Sequence, residues 1–92
     1  MSTAVTLNAA KERYEITVDG TVAGFTEAYP RGAVVLFPHT EISPGFEGHG
    51  LATQLIQAAL DDVRARGLKI RATCPFVLAF LDKHPDYEDL LA

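Results

Sequence analysis

Glu47-Gly48-His49-Gly50-Leu51-Ala52 carries the residue types of an anion cradle. Glycines at alternate positions let the backbone approach a ligand closely. A helix starting at Gly50 adds N–H groups without intrahelical partners and the positive end of its dipole, which together suit a phosphate. Two familiar phosphate motifs do not fit. A P-loop needs Lys followed by Ser or Thr at the close of the glycine run, and Gly50-Leu51-Ala52 has neither in place. A dinucleotide fingerprint needs a small residue where Gly48-His49-Gly50-Leu51-Ala52-Thr53 ends in Thr53, and too little chain follows for a doubly wound sheet.

Other reactive side chains are few. Cys74 stands before Pro75, where a strand is predicted to meet a helix; a thiol at a helix N-terminus gains thiolate character, and the thiolate is the nucleophile. A lone cysteine is otherwise a small apolar core residue. His39 and Glu41 are two apart on a predicted strand and therefore share a face, with Thr40 on the other. Imidazole changes charge near neutrality, so His39 suits a general base, for Cys74 or for a substrate proton, or else a hydrogen-bonded residue at a strand end, with Glu41 orienting it or simply solvated. His49 lies in the cradle with its side chain expected in solvent, and His84 before Pro85 is expected to anchor a helix end. His39, His49, Cys74 and His84 contain no closely spaced Cys or His pair, so no metal site is expected.

These residues need elements to hold them. Val5–Asn8 and Arg13–Val18 read as strands, and Asp19-Gly20 turns the chain into a third strand running to about Tyr29. After a turn at Pro30-Arg31-Gly32, one long strand from Ala33 to Ile42 is expected, with Pro38 marking an edge or bulge. Leu51, Leu55, Ile56, Ala59, Leu60 and Val63 recur at helical spacing, Gly67 stops that helix, and Lys69–Thr73 forms the next strand. A second helix is expected from Phe76 to about His84, and a helical turn near the end folds Tyr87, Leu90 and Leu91 onto the core. Phe37, Phe76, Phe80 and Tyr87 are expected in the core, and Phe46 over the ligand or an exposed patch. The order β-β-β-β-α-β-α gives an α+β fold: a mixed, mostly antiparallel sheet with one right-handed βαβ unit and a C-terminal helix. The glycine turn then lies at the C-terminal end of the first parallel strand, where open sheets bind ligands.

Composition bounds the class. Ninety-two residues make room for a single domain, taken as residues 1–92, and 48% apolar with 22% charged residues belong to an ordinary globule. A net charge of −4 argues against general nucleic-acid binding, and the basic strip Arg64, Arg66, Lys69 and Arg71 reads as a solvated helix end and strand. One cysteine and no leader-like or membrane-spanning run point to a reducing, cytoplasmic setting with no membrane partner.

Several segments together resemble one family. The glycine turn is similar to the pyrophosphate-binding turn of the GCN5-related N-acetyltransferases, in which Gln or Arg, two residues, Gly, one residue, then Gly or Ala recur; Gly50 and Ala52 match, and Glu47 stands where Gln or Arg is usual. With His39-Thr40-Glu41-Ile42, Cys74-Pro75-Phe76-Val77 and His84-Pro85-Asp86-Tyr87, the chain resembles a miniature subgroup with a Cys-Pro segment, over roughly Tyr14 to Leu91. The resemblance implies the minimal acyl-CoA N-acyltransferase fold and acetyl-CoA as co-substrate. Gly48, His49, Gly50, Leu51, Ala52 and Thr53 would hold the pyrophosphate, and Lys83 would approach the 3′-phosphate. The pantetheine arm would lie between strands ending near Ile42 and Thr73, with an N–H near Ile42 facing the thioester oxygen as an oxyanion donor. The implied acceptor is an amine, either a protein lysine or a small molecule, reached by direct attack or through acetyl-Cys74. Tyr87 would be a phenolic acid for the leaving thiolate only if the fold brought it there. The alternatives are a noncatalytic acyl-CoA-binding module and a general anion or nucleotide sensor. A monomer or weak homodimer is expected.

Overall fold

The computed structural model describes residues 2–92. Seven strands and two helices follow one another as β1 (Thr3–Asn8), β2 (Arg13–Val18), β3 (Thr21–Glu27), β4 (Tyr29–Arg31), β5 (Val34–Phe37), β6 (Thr40–Ile42), α1 (Leu51–Ala65), β7 (Lys69–Ala72) and α2 (Pro75–Lys83), with a 3-10 turn over Pro85–Leu90. The α+β expectation holds. Asp19 (φ 50°) and Gly20 (φ 85°) make the β2–β3 hairpin, as an Asp-Gly pair allows.

The strand expected to run unbroken from Ala33 to Ile42 is two strands in two sheets. β1-β2-β3-β6 form an antiparallel sheet, while β4-β5-β7 form a second in which β5 and β7 are parallel. Pro38 lies at the division: it has no N–H to give a ladder, so β5 stops at Phe37, and the chain resumes at Thr40 beside β3. Phe37 then closes the parallel pairing, its carbonyl accepting the N–H groups of both Thr73 (3.2 Å) and Cys74 (3.1 Å). Beyond that point β6 and β7 diverge. A second correction concerns Pro30 and Arg31, which belong to β4 rather than to a turn, since Tyr29–Arg31 pairs with Val34–Leu36 around Gly32.

The core lies between α1 and the antiparallel sheet. The helix buries Leu51, Leu55, Ile56, Ala59, Leu60 and Val63, the stripe its 3.6-residue spacing demands. Facing it are Tyr14, Ile16 and Val18, alternate residues of β2. The last residues close the other end: Tyr87 and Leu90 are buried, and Leu91 bridges to Ile70 of β7.

Candidate functional site

Glycine sets the geometry at the start of α1. Gly48 (φ 82°) and Gly50 (φ 70°) occupy the left-handed region, where a side chain would be strained, and this turns the chain into the helix without a capping side chain. The first α1 bond runs from the Gln54 N–H to the Gly50 carbonyl, 3.2 Å. The N–H groups of His49, Gly50, Leu51, Ala52 and Thr53 precede it, no side chain answers them, and no acidic residue occupies the first turn. The cradle therefore fits an anion. A cleft of about 300 Å³ opens over it, lined by Ile42, Phe46, Glu47, Gly48, Gly50, Leu51, Ala52, Thr53 and Phe76. A smaller one of about 120 Å³ adjoins it across Thr53 and Phe76 and reaches Phe80, Lys83 and His84. Phe46 lines the cleft; Phe76, expected in the core, is 41% exposed in the first turn of α2, where it borders both clefts.

The cleft leads to the edge of β6. His39, Glu41 and Ser43 share the ladder with β3, through Glu27 N–H to the His39 carbonyl (2.8 Å), Ser43 N–H to the Ala23 carbonyl (2.7 Å) and the Phe25–Glu41 pair between them. Antiparallel alternation then turns the N–H groups of Thr40 and Ile42 away from β3, and β6 is the last strand of its sheet. The Ile42 N–H thus points away from β3, and Ile42 itself lines the cleft.

The same alternation separates His39 from Cys74. His39 and Glu41 lie on the outer face, half exposed, with Nε2 2.9 Å from Glu41 Oε1 and the imidazole edge-on to Phe25 at 6.2 Å. Thr40 lies on the inner face, where its hydroxyl accepts from the Cys74 thiol at 3.3 Å. Cys74 is 3% exposed and caps α2, ahead of Pro75 in the first turn. Thr26 and Thr40 are the residues that sequence reasoning passed over. Their signal is a pair of hydroxyls on strand positions where alternation calls for apolar side chains.

The remaining candidate side chains are placed as follows. His84 Nδ1 lies 2.8 Å from the Phe80 carbonyl and its ring stacks on Phe80 at 4.0 Å, so it anchors the end of α2. His49 is exposed. Tyr87 donates to Asp61 at 2.7 Å, and burial together with that bond pushes its phenol up to about 12; it is tied to the far half of α1, away from the cleft. In the basic strip, Arg64 pairs with Asp89 at 2.5 Å and Arg66 with Asp62 at 3.0 Å, while Lys69 donates to the Asp89 carbonyl. Among the described residues no group of His, Cys, Asp and Glu is arranged to hold a metal ion, and no helix is long and apolar enough to cross a membrane.

The model of the GCN5-related N-acetyltransferase family matches residues 13–90. The chain belongs to that family. Over 52 residues it is 35% identical to Protein NATD1 of Bos taurus and equally to that of Homo sapiens, a match covering 56% of this chain and 46% of either relative. The chain thus spans about half the length of those relatives. A GCN5-like protein of Staphylococcus aureus solved by NMR superposes with a TM-score of 0.71 at 21% identity, over 97% of this chain and 87% of that one. The ribosomal-protein-alanine N-acetyltransferase of Brucella melitensis biovar Abortus 2308 superposes with a TM-score of 0.57 at 24% identity, over 87% and 60%. At these identities the two structures speak for the fold. The two-sheet arrangement divided at Pro38 belongs to the fold that the chain shares with these structures.

Proposed function

We propose that this protein is an acetyl-CoA-dependent N-acetyltransferase in which the acceptor amine attacks the thioester directly. The observation that carries the reading is the continuous cleft from the uncapped end of α1 to the open edge of β6 at Ile42. Acetyl-CoA supplies the activated acetyl group. Its pyrophosphate sits on the N–H groups of His49 to Thr53, approached closely at Gly48 and Gly50, and Thr53 adds a hydroxyl. Lys83, in the adjoining cleft, meets the 3′-phosphate. The Ile42 N–H donates to the thioester oxygen as negative charge grows on it.

His39 is the base. Its Nε2 lies 2.9 Å from the Glu41 carboxylate, so Nε2 carries the proton in that pair, and Nδ1 is left to take one from the incoming ammonium. The separation of His39 from Cys74 by the thickness of β6 favours direct attack, since a His39–Cys74 nucleophile–base pair needs both on one face. The acceptor is a protein lysine or a small amine; the net charge of −4 favours a cation. We place the activity in the cytoplasm, with no nucleic-acid or membrane partner, in a monomer or weak homodimer.

Thiol release from acetyl-CoA in the presence of a panel of amines tests this. His39→Gln is expected to lower kcat/KM by about a hundredfold, while acetyl-CoA affinity stays unchanged. Acetyl-Cys74 trapped by mass spectrometry, with turnover lost in Cys74→Ala, would replace direct attack by the two-step route. Tight acetyl-CoA binding without turnover on any amine would make the protein a binding module, and equal affinity for ADP and acetyl-CoA would reduce it to an anion sensor.

A further inference from the structure

The face of the antiparallel sheet turned away from α1 carries Arg13 and Glu15, which alternate along β2 with the buried Tyr14 and Ile16. Charged side chains on such a face are ordinarily free in water, yet these two are held. Arg13 Nε donates to Glu15 at 2.8 Å, the two side chains are only 22% and 13% exposed, and Asn8 Nδ2 of β1 donates to the same Glu15 oxygen at 3.3 Å. The Arg13 guanidinium lies over the ring of Phe25 on β3, 4.2 Å from its centroid. Phe25 in turn meets the His39 imidazole edge-on, centroids 6.2 Å apart with 61° between the planes. One file of contacts thus crosses all four strands of the sheet, from Asn8 to His39.

We propose that Phe25 is a positioning residue for His39: it fixes the plane of the imidazole, and Arg13 holds Phe25 in place to do so. The need is geometric. The bond to Glu41 at 2.9 Å pins one ring atom, Nε2, and leaves a half-exposed imidazole free to swing about that contact. A base works only when its lone pair, here on Nδ1, points at the proton it takes. A second contact, against a ring that is itself clamped, removes the swing and holds the side chain to one rotamer. Leucine has similar bulk but no flat face for the guanidinium and no ring for the imidazole, so with leucine at position 25 the file would stop at Arg13. The bearing of Phe25 on acetyl transfer rests on the reading of His39 as the base, whereas its ordering of the imidazole does not.

Three-bond couplings across χ1 of His39, measured by NMR in the full chain, read that ordering without any substrate. One rotamer is expected in the parent, a rotamer average in Phe25→Leu, and one rotamer again in Phe25→Tyr; a single rotamer in Phe25→Leu overturns the proposal. Turnover with acetyl-CoA and an amine reads the consequence. Phe25→Leu is expected to lower kcat about tenfold, less than His39→Gln does, with the KM for acetyl-CoA unchanged, and Phe25→Tyr to restore it. In a His39→Gln background Phe25→Leu should cost nothing further, because no base is left to aim. An equal cost in both backgrounds means that Phe25 acts elsewhere and overturns the assignment. Should Phe25→Leu not fold, Arg13→Gln removes the clamp on the ring and is expected to give a smaller loss of both ordering and kcat; parent values in both overturn the proposal. His39→Gln turning over at the parent rate refutes the base itself, whereas a slow His39→Gln beside an unimpaired Phe25→Leu refutes the positioning alone.

Discussion

At position 47 a carboxylate stands in the wall of a cleft whose floor is the positive end of α1. A negative charge there would oppose the proposed pyrophosphate on the same N–H groups, where Gln or Arg would not. Glu47→Gln is expected to tighten acetyl-CoA binding by about twofold to fivefold at low salt, the size of one charge at a helix terminus, and calorimetric titration checks it. Rising ionic strength should shrink the difference. The glycine spacing was legible at this scale because its chemistry is local backbone chemistry. The relation of His39 to Cys74 was not. Alternation along one strand shows that His39 and Glu41 share a face, but which face meets Cys74, 35 positions along the chain, depends on where a second sheet lies. The partnership of Thr26 and Thr40 was hidden for the same reason, since it joins two strands through a register that neither segment specifies.

At the scale of elements, the gap between β6 and β7 depends on how closely β6 can sit on β3. Gly24 is the point of closest approach: a Cβ there would lie 2.6 Å from the Glu41 carbonyl oxygen and 2.6 Å from Ile42 Cδ1. The backbone oxygen cannot yield as a side chain can. Gly24→Ala is therefore expected to push β6 off β3, destabilising the protein by about 1–3 kcal/mol as read by urea midpoints. Acetyl-CoA affinity should weaken in parallel, because Ile42 moves with the strand. The sequence announced an interruption through Pro38, yet proline alone allowed an edge, a bulge or a break. The break was chosen by partners on both sides: Val34–Phe37 finds β7, and Thr40–Ile42 finds β3.

At the scale of the whole molecule, α1 is tied down at its far half by two buried phenols. Tyr14 donates to Asp62 at 2.5 Å and Tyr87 to Asp61 at 2.7 Å. Burial is the first cause, and the neighbouring carboxylate the second, that raises both above the ordinary value of 10. In the unfolded chain these phenols ionise near pH 10, whereas the folded protein holds the Tyr87 proton to about 12. The folded state thus binds more protons in that window, and unfolding free energy falls as pH rises. Their stabilisation is expected to be complete below pH 10 and to decline from there towards pH 12, with the phenolate absorbance of a Tyr29→Phe variant, which removes the one unburied phenol, rising together with unfolding rather than ahead of it. Urea titrations at successive alkaline pH values check this.

What the sequence determined by itself is whatever depends on spacing within one segment: the α1 stripe, the Asp19-Gly20 hairpin, the glycine turn and the shared face of His39 and Glu41. Each follows from backbone periodicity or from the φ values a residue tolerates. Only the tertiary structure decided the division into two sheets, the exposure of the Ile42 edge, the placing of His39 and Cys74 on opposite sides of β6, and the file of side chains that ends on His39. Those features arise where distant segments compete for the same backbone partners and the same core volume, and that competition is settled only when the whole chain packs.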